Sequence, residues 1–338
     1  MTIALELSLK EMICPVPASA CLSHPDWFIW GASMVRDAEG TCHLFYSRWP
    51  KKYGFNAWTS HSEIAHATSN HPLGPYIHRG TALPERSADF WDGLCTHNPT
   101  VLEYGGKYYL YYMGNTGDKQ LEPNQDSFNW THRNNQRIGV AVASHPAGPW
   151  QRSSKPLIDT DAASIMVSNP AITPRPDGGF LMIYKEVGSS EPLPFGGPVV
   201  HRVALSHEPD GPFITQPDPV FTCDDVMFPA EDPYVWTQDN RYFAILKDMN
   251  GHFTDANRSL VLFESDDGTD WRLSDPCMLS DRTVQFEDGS MKKFDYLERP
   301  QLFLQNGVPS VLFCAARTGD RSLNIHIPLK EKATFTEL

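Results

Sequence analysis

The fold follows most directly from residues 97–114, HNPTVLEYGGKYYLYYMG. An apolar run leads into a Gly-Gly turn, and an aromatic-rich run follows, which is typical of a β-hairpin. The same arrangement occurs in four further segments, WGASMVRDAEGTCHLFYSRW from Trp30, SNPAITPRPDGGFLMIYKE from Ser168, EDPYVWTQDNRYFAILKD from Glu231 and ERPQLFLQNGVPSVLFCAA from Glu298. A hairpin that recurs five times indicates a repetitive fold.

The repeat has a nearly constant length. Four of the segments carry a proline at one position, and we expect Ser33 to take that position in the first: the prolines are Pro99, Pro170, Pro233 and Pro300. Successive steps measure 66, 71, 63 and 67 residues, so five units nearly fill the chain of 338 residues. A β-sandwich, the alternative, would not require units of near-equal length.

A second pattern adds further strands to each unit. RIGVAVASHPAGPW, which begins at Arg137, has counterparts that begin at Ser62, Val199 and Ser259. Each alternates apolar residues and then turns, which predicts a third strand and the start of a fourth. The fifth unit is cut short, and the alternating stretch Ala4–Lys10 is a candidate for its closing strand.

We therefore predict an all-β fold, a five-bladed β-propeller with four-stranded blades. It forms a single domain over residues 1–338, and the inner strands of its blades start near residues 31, 97, 168, 231 and 298.

Composition limits the partners of the chain. The formal net charge of −13 disfavours nucleic acid and anionic membranes. No apolar stretch approaches the length of a membrane span, and Glu6, Lys10 and Glu11 interrupt the N-terminal apolar residues, so we expect no signal peptide. The seven cysteines lack CxxC spacing. These features predict a cytoplasmic protein with free thiols, and its oligomeric state stays open.

Polar residues recur where the inner strands begin. In a propeller these positions converge from all blades on one central channel. Here they hold the pairs Gly31-Ala32, His97-Asn98, Ser168-Asn169, Glu231-Asp232 and Glu298-Arg299. Asn-Pro and Asp-Pro also favour turns, which is the structural alternative for these residues. Three acids on one narrow axis are costly unless neighbouring groups compensate, which favours a functional site.

The chain resembles the five-bladed propeller glycoside hydrolases of families 43 and 117. The likeness rests on the blade pattern, the Asp-Pro and Glu-x-Pro strand starts, and the phrases GKYYLYYMG and RIGVAVASHPAGPW. It implies a glycosidase that cleaves a terminal sugar from an oligosaccharide or glycoside. Two alternatives stay open: a glycoside phosphorylase of similar fold, and a carbohydrate-binding propeller without catalysis.

The resemblance also implies roles for the acids. Family 43 enzymes invert with an Asp base, an Asp that tunes the pKa of the acid, and a Glu acid. Glu298 of the ERP motif is then the candidate acid and Asp232 of the EDP motif its tuner. In the alternative register Glu231 is the acid. An inverting acid and base stand about 6.5–9.5 Å apart, which leaves room for a water molecule.

The expected base is missing from both registers. Its position holds Ala32 or Asn98, and neither side chain can accept a proton in this role. Asp92, in FWDGLCTHNP, and Asp26, in HPDWFIW, precede the first residues of two inner strands. Both are candidate substitutes, although acids at such places are often turn or cap residues.

Other residues near the strand starts are candidates for binding a sugar. Tryptophans offer flat faces for sugar rings, and cations and amides offer hydrogen bonds. The candidates are Asp26, Trp30, Arg48, Trp91, His97, Asn98, Asn169, Lys185 and Arg299. Core packing, ion pairs and a hydrogen-bonded histidine are the structural alternatives.

Nothing in the sequence calls for a cofactor. HxH, HExxH and EF-hand spacings are absent from the sequence, so no metal site is predicted from a motif. A structural or channel metal ion assembled from different blades stays open.

Overall fold

A computed structural model describes residues 9–118 and 122–330, and it consists mainly of antiparallel strands. Five four-stranded sheets follow one another along the described chain, together with one two-stranded ribbon. The sheets are the five blades of a β-propeller, so the predicted fold class is confirmed.

The strands and helices have the following bounds. Before the first complete blade lie α1 Leu9–Met12 and β1 Cys21–Leu22. Blade 1 contains β2 Trp27–Arg36, β3 Cys42–Pro50, β4 Glu63–Ser69 and β5 Ile77–Leu83, with α2 Trp58–His61 and two short 3₁₀ turns, Lys51–Tyr53 and Phe55–Ala57, between β3 and β4. Blade 2 contains β6 Cys95–Tyr104, β7 Lys107–Asn115, β8 Arg137–Ala143 and β9 Gln151–Arg152, with α3 Trp130–Asn134 before β8.

The remaining blades follow the same order. Blade 3 contains β10 Ser164–Pro174, β11 Phe180–Gly188, β12 Val199–Ser206 and β13 Ile214–Val220. Blade 4 contains β14 Ala230–Gln238, β15 Arg241–Asp248, β16 Leu260–Ser265 and β17 Arg272–Ser280. The ribbon consists of β18 Thr283–Gln285 and β19 Met291–Lys293, and blade 5 contains β20 Tyr296–Gln305, β21 Val308–Thr318 and β22 Arg321–Pro328. The inner strands begin one to four residues before the predicted positions.

Blade 5 is completed by a strand from the start of the chain. β1 pairs antiparallel with β22, through Cys21 opposite Ile325 and Leu22 opposite Asn324. This position differs from the predicted one. Of the stretch Ala4–Lys10, residues 4–8 lie outside the described residues, and Leu9 and Lys10 belong to α1. Apolar alternation alone did not separate a strand from this short helix, whose Leu9 packs into the core between blades 4 and 5.

The hydrophobic core is divided among the junctions between blades. One cluster joins Phe45 of blade 1 to Leu110 of blade 2, and the other junctions each have a similar cluster. Because a single blade cannot cover its own faces, each one depends on its two neighbours. The arrangement places all five inner strands around one axis. All seven cysteines are unpaired, and three of them are buried.

Candidate functional site

A cavity of about 230 Å³ opens where the inner strands begin. Its walls come from all five blades and from the segments that connect their strands. The lining residues are Trp30, Trp49, Phe55, Trp58, His97, Asn98, Gln136, Asn169, Lys185, Glu231, Asp232, Lys247, Met249, Arg258, Tyr296 and Glu298. The cavity therefore combines an aromatic wall with a cluster of charges.

Every inner strand has the same irregularity at this point. Its pairing with the second strand shifts register there, as expected for a β-bulge. One residue of each bulge has a positive φ: Gly31, Asn98, Asn169, Asp232 and Arg299. We call these five residues the axial ring. The residues before them, Trp30, His97, Ser168, Glu231 and Glu298, are the rim residues.

The position of the bulge in blade 1 shows that the predicted alignment of this blade is wrong by one residue. Trp30 pairs with Ser47 as His97 pairs with Met113, and the register shift follows in both blades. Ala32, and not Ser33, therefore occupies the proline position. The place where the family resemblance expects a catalytic base in blade 1 accordingly holds Gly31 at the ring and Trp30 at the rim.

Side chains of the axial ring are linked around the channel. Asn98 Nδ2 donates to Asn169 Oδ1 over 2.7 Å, and Asn169 Nδ2 donates to Asp232 Oδ1 over 2.9 Å. Arg299 Nη1 lies 3.6 Å from the same Asp232 oxygen. A Cβ on Gly31 would lie 3.2 Å from Arg299 Nε, so the glycine leaves the room that this arginine occupies.

Glu231 lies between two lysines. Lys185 Nζ donates to its Oε1 and Lys247 Nζ to its Oε2, each over 2.6 Å. Burial opposes ionisation of this carboxyl, but the two ammonium groups outweigh it and hold the pKa of Glu231 well below its usual range. Glu231 is therefore an ionised carboxylate and a poor proton donor.

The pKa of Glu298 is shifted in the opposite direction. Burial raises the pKa of this carboxyl; the charge of Lys247 opposes the rise, and the charges of Asp232 and Glu231 add to it. Its Oε1 lies 3.0 Å from Lys247 Nζ, the ammonium that also holds Glu231. Burial raises the pKa of Asp232 as well. Asp232 thus acts on Glu298 in the direction that a tuning residue requires.

Lys247 is the main site residue that sequence reasoning missed. It is paired across the hairpin with Glu231, and Lys185 is paired in the same way with Ser168. A lysine near the end of the second strand is visible in both FLMIYKE and YFAILKD. Only the hairpin register shows that both reach the rim.

An aromatic wall faces the acids. The ring of Trp58 stacks on that of His97 with centroids 5.1 Å apart, and Ser62 Oγ lies 2.6 Å from His97 Nδ1. Burial lowers the pKa of His97 far below its ordinary value, so this imidazole is neutral. Trp30 packs edge-to-face against Phe55, with centroids 5.3 Å apart.

The structure brings together most of the predicted binding residues. Those that line the cavity are Trp30, His97, Asn98, Asn169 and Lys185, beside the acids Glu231, Asp232 and Glu298. Arg299 does not line it. Its guanidinium is buried in the axial ring beside Asp232, and it contacts the site through this carboxylate.

Asp92 and Trp91 lie away from the cavity lining. The Asp92 carboxylate is fully buried, pairs with Arg86 and Arg152, and accepts the hydroxyl of Tyr112 over 2.6 Å. Trp91 stacks on the Tyr112 ring. Asp92 is therefore not the substitute base that its place in the sequence suggests, because its oxygens are committed to an ion-pair cluster beside β7 and do not face the cavity.

Asp26 and Arg48 also fall outside the lining. Asp26 is exposed, and its backbone oxygen accepts the Lys51 N–H at the edge of blade 1. Arg48 is one residue beyond the rim position on β3, so it faces Glu63, with 2.6 Å between Nη2 and Oε1. Sequence distance from the inner strand did not show which way these side chains point.

Comparison with known proteins supports the architecture. No family model matches the sequence, and no curated protein matches it either. Among solved structures, that of the BT0996 RGII complex has 15% identity, a TM-score of 0.69, and coverage of 97% of this protein and 95% of the other.

Two further structures show the same likeness. Zg3597, a family 117 glycoside hydrolase of the marine bacterium Zobellia galactanivorans, has 16% identity, a TM-score of 0.60, and coverage of 94% of this protein and 89% of the other. A thermostable family-43 glycoside hydrolase has 12% identity, a TM-score of 0.57, and coverage of 92% and 96%. The chain therefore has the five-bladed propeller fold of glycoside hydrolases from families 43 and 117.

Proposed function

We propose that this protein is a glycosidase that cleaves a terminal sugar from an oligosaccharide or glycoside. One observation carries the proposal: two carboxyl groups with opposite tendencies to ionise share one lysine in an aromatic-lined cavity on the propeller axis. In such a pair, one carboxyl group can act as the acid near neutral pH while the other stays ionised.

Glu298 acts as the proton donor. It transfers its proton to the glycosidic oxygen while the bond to the anomeric carbon breaks, and positive charge develops on the sugar. Glu231, kept ionised by Lys185 and Lys247, is the anion that faces this charge. Asp232 keeps the pKa of Glu298 high through its negative charge.

The spacing of the acids favours a retaining mechanism. Lys247 Nζ lies 2.6 Å from Glu231 Oε2 and 3.0 Å from Glu298 Oε1, so these oxygens are at most 5.6 Å apart. Retaining pairs stand about 5–5.5 Å apart, and inverting pairs about 6.5–9.5 Å. Among the described residues the cavity holds no acid besides Glu231, Asp232 and Glu298. We therefore propose retention in place of the inversion that the family resemblance implies.

In the retaining scheme Glu231 attacks the anomeric carbon as Glu298 gives its proton to the leaving oxygen. A water molecule then breaks the resulting ester and returns its proton to Glu298. The cavity suits a single sugar unit, because its volume of about 230 Å³ is small and falls below the roughly 300–1,000 Å³ of sites for drug-sized ligands.

Substitution of Glu298 tests the proposal. We expect Glu298→Gln to fold normally and to lose about 10²–10⁴-fold in turnover of methyl glycosides, the range for general acid catalysis. Nitrophenyl glycosides should be affected less, because their leaving group needs less protonation. Glu287→Gln, the same change at an exposed position, is the control. Proton NMR of the first-formed anomer shows retention or inversion.

Other outcomes separate the alternatives. Full activity of Glu298→Gln would remove this residue from the mechanism. Turnover that requires inorganic phosphate would identify a phosphorylase. Sugar binding in a calorimeter without any turnover would identify a carbohydrate-binding propeller.

A further inference from the structure

A cluster of histidines lies at the end of the propeller opposite the cavity. Asp37 follows the last residue of β2, His43 lies near the start of β3, and His145 lies in the turn after β8. From Trp30 at the cavity to Asp37, the inner strand spans about 23 Å at roughly 3.3 Å per residue. This cluster is therefore separate from the acids of the proposed active site.

Each of the three side chains offers one ligand atom, and these atoms lie close together. Asp37 Oδ2 lies 2.9 Å from His43 Nε2 and 3.9 Å from His145 Nε2, and all three ligand atoms lie within 4.8 Å of one another. The other carboxylate oxygen of Asp37 accepts the Thr41 N–H over 2.7 Å, which fixes the orientation of the acid.

A fourth residue supports the cluster from behind. His66 Nε2 lies 2.9 Å from His43 Nδ1, and the two rings are stacked with centroids 5.1 Å apart. Histidine ligands of metal ions usually donate their second ring N–H to a hydrogen-bond acceptor, which fixes the orientation and the tautomer of the ring. His66 is buried and has the position of that partner.

We propose that Asp37, His43 and His145 bind a divalent transition-metal cation of the zinc type, with water completing its coordination. Two imidazole nitrogens and one carboxylate oxygen suit zinc, whereas calcium and magnesium prefer oxygen ligands alone. The proposal is independent of the glycosidase activity.

Binding requires small and specific changes in the two histidines. The cation replaces the proton that His43 Nε2 shares with Asp37, and His43 Nδ1 then donates to His66. When His145 binds the cation through Nε2, its single ring proton moves to Nδ1. Nδ1 then no longer accepts the Ala147 N–H, which lies 3.1 Å away. That costs one neutral hydrogen bond, and half of the His145 side chain is exposed to solvent.

The bound cation would link two blades. Asp37 and His43 belong to blade 1, and His145 belongs to the turn of blade 2. Since neighbouring blades are held together by non-covalent packing, a ligand that binds only the folded state raises the midpoint of thermal unfolding.

A matched pair of variants tests the site. His145→Ala removes a ligand, and His71→Ala removes the histidine at the same place in the SNHPLGPY turn of blade 1, where Nδ1 accepts the Leu73 N–H. Titration of chelator-treated full-length protein with zinc chloride should show one saturable site per molecule in wild type and in His71→Ala. We expect at least a tenfold weaker site in His145→Ala, and a zinc-induced rise in Tm only in the first two proteins.

Cobalt(II) identifies the ligands. We expect visible absorption bands of a nitrogen- and oxygen-bound ion without a thiolate charge-transfer band, which excludes the free cysteines as ligands. Thermal unfolding without metal must be equal in the two variants, which shows that both fold. The proposal is overturned if wild type has no saturable zinc site, if His145→Ala binds zinc as tightly as His71→Ala, or if the cobalt spectrum shows thiolate ligation.

Discussion

The axial ring shows how one backbone conformation organises the candidate site. All five residues have a positive φ, from 25° at Gly31 to 59° at Asp232. Asn and Asp tolerate this region better than other residues with a side chain, and glycine adopts it without a steric cost. Arg299 is the exception, with φ 54°. Its side chain packs against Gly31 and lies beside Asp232, and these contacts stabilise the positive φ.

Gly31→Ala is expected to destabilise the fold and to lower activity. The added Cβ meets Arg299 Nε at 3.2 Å, which is tighter than ordinary contact, so the arginine side chain must shift. Overpacking of this kind costs about 1–3 kcal/mol. Gly105→Ala is the matched control, because Gly105 also has a positive φ but has no atom within 4 Å of its added Cβ. Urea unfolding of both variants measures the difference, and equal losses would contradict a steric role for Arg299.

Lys185→Met is expected to shift the pH profile of kcat/KM. Lys185 lowers the pKa of Glu231, so its loss raises that pKa, and the acidic limb of the profile moves to higher pH. The alkaline limb, set by Glu298, should move less, because Lys247 remains. Lys185→Arg keeps the charge and should keep the acidic limb in place. An unchanged limb in Lys185→Met would show that Glu231 does not set it.

At the scale of elements, the hairpins were the most predictable part of the fold. Apolar runs around a Gly-containing turn define both strands of each one, and the structure confirms all five. The alignment of blade 1 was wrong by one residue because a bulge shifts register without changing the hairpin pattern. The closing strand was also misplaced, since two residues are too few to show alternation.

Leu22→Ala tests the closing strand. Leu22 is buried between blades 5 and 1 and lies opposite Asn324. Loss of a buried leucine side chain costs about 2–5 kcal/mol. The control, Leu193→Ala, removes a side chain that is 70% exposed, and such surface changes stay within about 0.5 kcal/mol. Chemical denaturation compares them, and a near-neutral Leu22→Ala would show that closure does not depend on this contact.

At the scale of the whole molecule, the propeller explains which site residues could be predicted. Its symmetry brings the first residues of every inner strand to one axis, so Glu231, Asp232 and Glu298 were expected to meet, and they line one cavity. Asp92 is close to an inner strand in sequence, yet its loop turns away toward Arg86. The position of Lys247 at the cavity follows from the cross-strand register, which cannot be read from the composition or the repeat length.

Acid is expected to destabilise the molecule through buried neutral histidines. Burial lowers the pKa of His201 to about 3 and that of His326 to about 4, against 6.5 for an unperturbed imidazole. Below pH 6.5 the unfolded chain gains protons that the folded chain does not, so stability falls as pH falls, until each folded-state pKa is reached. Each histidine contributes a slope of about 1.4 kcal/mol per pH unit in that window.

Urea unfolding between neutral pH and pH about 4 measures this slope. His326→Asn should reduce it, and His207→Asn, at an exposed position, should leave it unchanged. Equal slopes in wild type and His326→Asn would contradict the assignment.

The pairing of β1 with β22 has a consequence for synthesis of the protein. A ribosome makes β1 early, but its partner Ile325 emerges about three hundred residues later. Each of blades 1 to 4 is one contiguous segment, whereas the fifth combines β1 with β20, β21 and β22 and cannot form until β22 has been made. During this interval the edge left for β22 is open to pairing with another nascent chain. Ring closure is therefore the last step in assembly of the propeller, and until it occurs β1 lacks its partner strand.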